Sequence, residues 1–541
     1  VATDHHPRMN PREWLWQKSV LFLLRRYPLP RDIIRRAFRS FGPRTALVSS
    51  RGVLTFDELA DRVRRWCGLL AEWGVGPSSR VFVQLKDDGE FIEIDLALYL
   101  TGAVVTFFHE ATPPAFVAGA ARVFHPVLFL HDPATGSAAA EALAAVDSAA
   151  RRVPVDAALR ARVDAAPALD PTPALRPEDI CGMGFTSGTS GLPKCLPVAQ
   201  GSPVRSLRLL IPHLKISAAR PGTLLSGIPL IGAGSGLIFP WLTTGGCLAL
   251  CPQHDIDSVV ATIRQTKATR LFLTPSQLID LLDLPPERLD FMVRVVQIIY
   301  GTAPMPAAKL EEAVRRFGPL FQQGYGMAEV LPPVTFLPME DHARGGRPAP
   351  RSVLSSVGRV VKGVEVKIKD ENGRPLPVGD TGLVWVKSPT LFTGYWDRED
   401  LNARVLVDGF LRTGDYGFFD DEGYLHILDR EQDVIDRHGQ KLFPRVVEET
   451  AHDHPAVKEA AFVMNKNTGR LTLVMSLRRG FRDQPRAPLA RDILEFVRSR
   501  VAAWQRPEDA RVLDELPRSF LAKMLRRDVR EFVEKNPDIG P

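Results

Sequence analysis

The stretch that most constrains this chain is Thr186-Ser187-Gly188-Thr189-Ser190-Gly191-Leu192-Pro193-Lys194, a loop of hydroxyls and glycines closed by one lysine. Gly188 and Gly191 let backbone N–H groups turn inward with no Cβ in the way. The hydroxyls add neutral donors and Lys194 adds one mobile positive charge, so the loop is suited to cradle a polyphosphate. The same composition also serves a plain solvated turn. The apolar run Ile180-Cys181-Gly182-Met183-Gly184-Phe185 leads into the loop like a strand, and strand ends are where α/β proteins keep their ligands. The Walker pattern G-x-x-x-x-G-K-[ST] is not met, because Pro193 precedes the lysine and Cys195 follows it, which disfavours a P-loop NTPase.

A chain of 541 residues exceeds what one hydrophobic core serves, so two or more domains are expected. A formal charge of +6 is small over this length, and no basic patch interleaved with aromatics stands out. Nucleic acid is therefore not an expected partner, and a polyanionic small molecule such as ATP or CoA is. Five cysteines, at 67, 181, 195, 247 and 251, form neither an even framework nor a C-x-x-C pair. They read as reduced, mostly buried thiols of a cytoplasmic protein. No apolar run reaches the roughly 18 residues of a membrane span. The short run Val20 to Leu24 closes on Arg25-Arg26 without a signal-peptide cleavage site. Trp14 to Phe41 reads as an amphipathic helix pair docked on its own domain, with peripheral membrane contact as the alternative.

Strand and helix patterns then alternate. Ala46-Leu47-Val48 is a strand, Thr55-Phe56-Asp57-Glu58 is a capping box opening a helix from Leu59 to Trp73, and Val81 to Leu85 is a buried strand. A helix at 90–100 and a strand at 103–108 repeat the unit. The Ala-rich stretch from Asp132 to Asp179 reads as a surface helix and a connecting loop. Alternation resumes through Thr223 to Pro229, Cys247 to Cys251, Arg270 to Leu273 and Val295 to Tyr300. From Gly358 to Val386 short strands and turns mark a β-rich subdomain, and a charged segment after Asp429 leads to a small α/β tail. The expected organisation is an α/β fold with a large domain over 1–429 and a small mobile domain over 430–541.

The 186–194 loop resembles the phosphate-binding signature of the adenylate-forming superfamily, which comprises acyl-CoA synthetases, peptide-synthetase adenylation domains and luciferases. Further motifs of that superfamily follow in order, and the resemblance runs from about Thr55 to Arg530. Gly324-Tyr325-Gly326-Met327-Ala328-Glu329, read as a tight turn after the strand Leu320 to Gln323, is similar to the second signature. It implies a tyrosine near adenine and Glu329 as the Mg²⁺ ligand on the ATP phosphates. Ala328 stands where a threonine is usual. Gly301-Thr302-Ala303-Pro304 resembles the adenine-flanking turn. Arg412-Thr413-Gly414-Asp415-Tyr416-Gly417, read as a strand and turn, implies Asp415 as ribose ligand, and Arg430 is implied as the charged residue at the domain junction. Pro517-Arg518-Ser519-Phe520-Leu521-Ala522-Lys523 resembles the C-terminal motif whose lysine stabilises charge on the acyl carboxylate and α-phosphate. Ala522 replaces its usual glycine.

The resemblance implies two reactions: a carboxylate attacks the α-phosphorus of ATP, and the acyl group of the resulting acyl-AMP passes to a thiol, most often that of CoA. Thr186, Ser187, Gly188, Thr189, Ser190, Gly191 and Lys194 are the implied phosphate contacts, with Lys523, Glu329 and Thr189 the implied catalytic residues. Between the steps the C-terminal domain is implied to rotate about Gln432, exchanging Lys523 for a face carrying His438 and Gly439. Gln200 and Gly232 stand where histidines are common. Gly232, Ala233, Gly234 and Ser235 are small residues in a row, read as space for a bulky acyl group, although the glycines also suit close packing. His452 and His454 read as part of a turn rather than a metal pair. Transfer to a carrier-protein thiol or an amine, or mere adenylate binding, are the competing readings.

Overall fold

The computed structural model describes residues 11–86, 88–186, 194–214, 221–437, 439–518 and 524–536. Ser187 to Pro193, His438, and Ser519 to Lys523 lie outside the described residues, as do the expectations attached to them.

Two sheets dominate the larger part of the chain. In one, Arg151–Pro154, Leu128–His131, Arg80–Gln84, Val104–Phe108 and Ile180–Thr186 run parallel, and Lys194–Ala199 closes the edge antiparallel. In the other, the order is Arg359–Val360, Val330–Leu337, Phe321–Met327, Gln297–Tyr300, Arg270–Leu273, Thr223–Ser226, Cys247–Leu250, Thr45–Ser49, Gly52–Thr55. The strands from Phe321–Met327 to Thr45–Ser49 are parallel. Val81, Phe82 and Val83 are fully buried on both faces, as expected of a parallel sheet covered by helices. The helix Phe56–Glu72 starts at the expected capping box: Glu58 donates its N–H to Thr55 Oγ1 at 3.2 Å, and Thr55 donates its own to Glu58 Oε2 at 2.7 Å. Its Leu59, Val63, Trp66 and Leu70 recur at helical spacing and enter the main core.

Pro11–Arg26 and Pro30–Phe41 form the expected helix pair. Val20, Leu24, Ile33, Ile34 and Phe38 join the same core as Phe56 and Trp241, so the pair docks on its own domain, while Leu15 and Phe22 stay exposed. No described helix is long and apolar enough to cross a membrane. Among the cysteines, all five are free thiols and Cys67, Cys181, Cys195 and Cys251 are buried.

Four local expectations are corrected. The Asp132 to Asp179 stretch holds two helices, Ser137–Val146 and Ala157–Ala165, and between them the strand Arg151–Pro154, which extends the parallel sheet. Four residues bearing two arginines and a proline give no strand signal, yet such residues suit a sheet edge. The strand Phe321–Met327 runs straight through Gly324 and Gly326, and the chain reverses at Ala328-Glu329 instead. Gly326 is there because a Cβ would sit 2.8 Å from Pro332 Cβ on the facing strand. Thr413-Gly414-Asp415 lies inside the strand Phe410–Phe419, where a register shift next to Asp415 and φ +77° at Gly414 mark a bulge rather than a turn. Thr223–Ser226 also ends three residues before the expected Pro229.

Phe410–Phe419 belongs to an antiparallel sheet with Glu365–Lys369, Gly382–Lys387, Leu406–Val407 and Leu425–Arg430, which is the β-rich subdomain. Beyond it, Val457–Met464, Leu471–Leu477 and Asp509–Leu513 form a three-stranded sheet with the helices Pro444–His452, Arg486–Arg498 and Arg526–Lys535. The fold is therefore α/β, with a large N-terminal domain and a smaller C-terminal one built on its own core.

Candidate active site

Because the central strands of each large sheet are parallel, their C-terminal ends share one edge, where the chain leaves the sheet in loops. Thr186 and Lys194 sit opposite each other at the end of a β-hairpin, so the hydroxyl-glycine loop connects two antiparallel strands. At the same edge of the other sheet, Gln297–Tyr300 ends at Gly301, and Phe321–Met327 runs on past Gly324 beside it. A Cβ at Gly301 would lie 3.1 Å from the Gly324 carbonyl oxygen. Thr302, Ala303 and Pro304 are exposed, and Thr302 holds φ +70°. A β-branched residue in the left-handed region is strained by about 1–3 kcal/mol, and such strain concentrates at functional loops.

A segment that sequence reasoning passed over ties the two sheets together. Leu391 bridges Val330, the Phe392 N–H donates to the Glu329 carbonyl at 2.9 Å, and the Trp396 N–H donates to the Cys195 carbonyl at 2.9 Å. Between them Tyr395 donates its hydroxyl to Glu329 Oε1 at 2.6 Å, and its ring lies 5.4 Å from Lys194 Nζ. Burial, together with the negative charge of Glu329, holds the Tyr395 phenol far above its ordinary range, so it stays a donor. Asn402 fixes the tyrosine backbone from both sides: its Oδ1 accepts the Tyr395 N–H at 2.7 Å and its Nδ2 donates to the Tyr395 carbonyl at 2.8 Å. The signal for this segment is slight, an aromatic pair after Gly394, whose φ of +123° requires glycine.

Tyr325 joins the second sheet to the antiparallel one. Its hydroxyl donates to Asp415 Oδ2 at 2.5 Å, and Arg430 Nε lies 3.6 Å from Asp415 Oδ1. Burial and the adjacent carboxylate raise the Tyr325 phenol well above its ordinary range, so this is a short charge-assisted bond. Tyr325, placed near adenine by resemblance, thus has its hydroxyl end on the expected ribose ligand, and one carboxylate oxygen is already engaged. Tyr416 follows Asp415 and packs on the other face of the strand with Leu383, Trp385 and Phe410. Lys441, on the hairpin Ile435–Arg437 and Gln440–Leu442 that carries Gly439, donates to the Tyr416 hydroxyl at 2.7 Å and pairs with Glu371. That hairpin therefore lies on the face of the sheet away from Asp415.

The small-residue run is only partly the open space expected. Gly232 (φ +85°), Ala233, Ser235 and Gly236 are exposed, and a Cβ at Gly232 or Gly236 would meet nothing within 4 Å. Gly234 is buried, and a Cβ there would fall 2.2 Å from the Pro229 carbonyl oxygen, so its glycine serves close backbone packing. Gln200 is buried at the end of the Lys194–Ala199 strand, where its N–H donates to the Asp179 carbonyl at 2.7 Å, and Ala328 is exposed. His452 is buried with its imidazole pushed down to about 3 by burial, and His454 faces Asp492 at 3.2 Å.

Comparison with known proteins gives the following. The AMP-binding enzyme family matches residues 34–396, and the AMP-binding enzyme C-terminal domain matches residues 446–523. A medium/long-chain-fatty-acid–CoA ligase of Mycobacterium tuberculosis is 32% identical over 361 residues, which are 66% of this chain and 62% of that protein. The chain thus aligns with about three fifths of that relative's length. Feruloyl-CoA synthase of an Amycolatopsis species is 28% identical over 512 residues, 92% of this chain and 97% of the relative. Among solved structures, the amide bond synthetase McbA of Marinactinospora thermotolerans superposes with a TM-score of 0.80 at 28% identity, covering 93% of this chain and 99% of that one.

The two glycines separate packing from space. Gly234→Ala is expected to destabilise the protein by about 1–3 kcal/mol through overpacking against Pro229, and Gly236→Ala to leave the thermal midpoint near that of the parent. Equal midpoints for the two variants in a thermal unfolding comparison would remove the packing role of Gly234.

Proposed function

This chain belongs to the AMP-binding enzyme family, and from that premise we propose that it activates an apolar carboxylic acid, fatty or aryl, as acyl-AMP and transfers the acyl group to the thiol of CoA. It is an adenylate-forming ligase that uses ATP. The observation that carries the reading is the run of contacts from Lys194 through Tyr395 to Glu329, and from Tyr325 through Asp415 to Arg430. It brings the matching residues of four separated motifs to one edge.

In the first step a carboxylate oxygen forms a bond to the α-phosphorus, and the bond from that phosphorus to the bridging oxygen breaks, so pyrophosphate leaves. The acid is already ionised, so no protein nucleophile or base is required, and the protein acts by positioning and charge neutralisation. Thr186 to Lys194 would cradle the phosphates, with Thr189 among the donors. Asp415 would take the ribose hydroxyls, and Gly301 to Pro304 with Gly324 to Met327 would flank the adenine. Glu329 fits a Mg²⁺ site, since this ion takes one or two carboxylates and completes its shell with phosphate oxygens and water. Its Oε1 is steadied by Tyr395, and among the described residues Oε2 accepts no hydrogen bond. When bound, the ion would neutralise charge on the phosphates. Lys523 would offset the charge that builds on the carboxylate and α-phosphate.

In the second step the acceptor thiolate bonds to the acyl carbonyl carbon and AMP leaves. We place the domain boundary between Asp429 and Arg430, with rotation at Gln432 bringing His438 and Gly439 to the site. The open space beside Gly232 and Gly236 supports a bulky acid. The likeness to an amide bond synthetase supports an amine as a second possible acceptor.

Acceptor and metal are tested together. With acyl-AMP formed in place, CoA is expected to consume it faster than an amine or hydroxylamine at equal concentration; faster consumption by the amine would assign amide synthesis. Glu329→Gln is expected to lower pyrophosphate exchange by about 10- to 100-fold at limiting Mg²⁺, the range for losing one charged contact. An unchanged Mg²⁺ requirement would remove Glu329 from the metal site.

A further inference from the structure

The most buried ion pairs between the C-terminal domain and the rest of the chain share one polarity. Lys458 Nζ lies 2.7 Å from Asp280 Oδ1, at the end of the helix Pro275–Leu282. Arg478, just past the strand Leu471–Leu477, lies 2.5 Å from Asp283 Oδ1 and 2.9 Å from Glu312 Oε2, the latter on the helix Ala307–Phe317. Arg526, at the start of the last helix, lies 3.1 Å from Asp429 Oδ1 on the strand Leu425–Arg430. Each of these cations is on the C-terminal domain, and each carboxylate is on the larger one. The cationic side chains are between 10% and 13% exposed, so the cations are shielded from solvent, while the Glu312 carboxylate is 38% exposed.

Other groups surround these pairs. Arg526 also donates to both oxygens of Glu448, with Nη2 at 3.2 Å from Oε2, to the Phe462 carbonyl at 3.1 Å, and faces Asp433 at 3.9 Å. The Arg445 N–H donates to Asp429 Oδ2 at 2.9 Å. Lys309 approaches the His454 carbonyl at 3.5 Å, and Arg351 with Asp453 at 2.8 Å and Arg412 with Glu431 at 2.7 Å pair in the reverse polarity but are more exposed. Burial raises the Asp280 and Asp429 carboxyls while Lys458 and Arg526 pull them back.

We propose that Lys458, Arg478 and Arg526, with Asp280, Asp283, Glu312 and Asp429, form an ionic clasp that holds the C-terminal domain in the arrangement for acyl-AMP formation and opens for acyl transfer. This rests on the two-step reading above. Two observations set the assignment. The hairpin carrying Gly439 lies on the face of its sheet away from Asp415, so the arrangement seen is not the one that brings that hairpin to the site. Arg526 is also three residues beyond Lys523 in the sequence, so the last of these pairs directly follows the segment that carries the lysine.

The chemistry suits an interface that must part. Separating apolar faces exposes their full area to water. Separating paired charges exchanges Coulomb attraction for hydration of both partners, a trade that nearly breaks even. Interfaces between domains that move are accordingly more polar than permanent ones. The clasp is thus specific in geometry and inexpensive to open.

The test neutralises the clasp without changing its shape, by Asp280→Asn, Asp283→Asn and Asp429→Asn together in the full chain, with none of the proposed site residues altered. Acyl-AMP formation, read as acid-dependent pyrophosphate exchange, is expected to fall about tenfold as the closed population drops to about one tenth. Acyl transfer from supplied acyl-AMP is expected at or above the parent rate. The distance distribution between spin labels on cysteines introduced at the exposed Val53 and Ser499 is expected to broaden. Equal loss in both half-reactions with a narrow distribution makes these pairs structural and overturns the proposal, as does no change in any readout. If the parent forms no acyl-AMP with any acid, the two-step reading fails, and the spin-label distances alone still decide whether the clasp holds the domains.

Discussion

The hydrogen bond from Tyr325 to Asp415 is the contact on which the arrangement of this molecule depends. A carboxylate only 5% exposed must be satisfied by nearby donors or it neutralises. Here a donor and a counter-charge come from two other places: the phenol on a strand of the largest sheet and the guanidinium of Arg430 at the end of the strand Leu425–Arg430. Asp415 therefore fixes where the antiparallel sheet sits against the parallel one. Tyr395 does the same between the parallel sheets, with Glu329 on one side and Lys194 on the other. The residues proposed to act on the ligands are also those that join the layers, so their relative positions follow from the fold itself.

Much of this was legible in the sequence because it depends on short-range rules. The capping box at Thr55 is a four-residue pattern, and the buried parallel strands are continuous apolar runs. Both appear as expected. What could not be read depends on partners far along the chain. Glycines at 324, 326 and 414 look like turns, yet all lie inside strands, and only the facing strands reveal the close approach that needs Gly326 and the bulge that needs Gly414. Arg151 to Pro154 becomes a strand only because Leu128–His131 offers an edge. Gly234 looks like spare volume until Pro229 is found against it. Tyr395 has no motif of its own, and its significance lies in reaching two motifs about 65 and 200 positions away.

The departures from the superfamily pattern also gain a physical setting. Gln200 is buried at the end of the Lys194–Ala199 strand away from the loop, and Ala328 is an exposed turn residue next to Glu329. Neither change disturbs the contacts that hold Lys194, Glu329 and Asp415. The charged surface between the domains adds a constraint of a different kind: it fixes one orientation by geometry while leaving others accessible through hydration. A site assembled at sheet edges and a second domain held by ion pairs suit chemistry in two steps.

The central claim is that this edge joins a carboxylic acid to the AMP moiety of ATP. It is tested most directly by ATP–pyrophosphate exchange with the full chain across a panel of carboxylic acids from acetate to long fatty and aryl acids. Exchange is expected to require an acid, to favour large apolar acids over acetate, and to be lost in Asp415→Ala. ATP binding without exchange for any acid would contradict it and leave the chain an adenylate-binding protein.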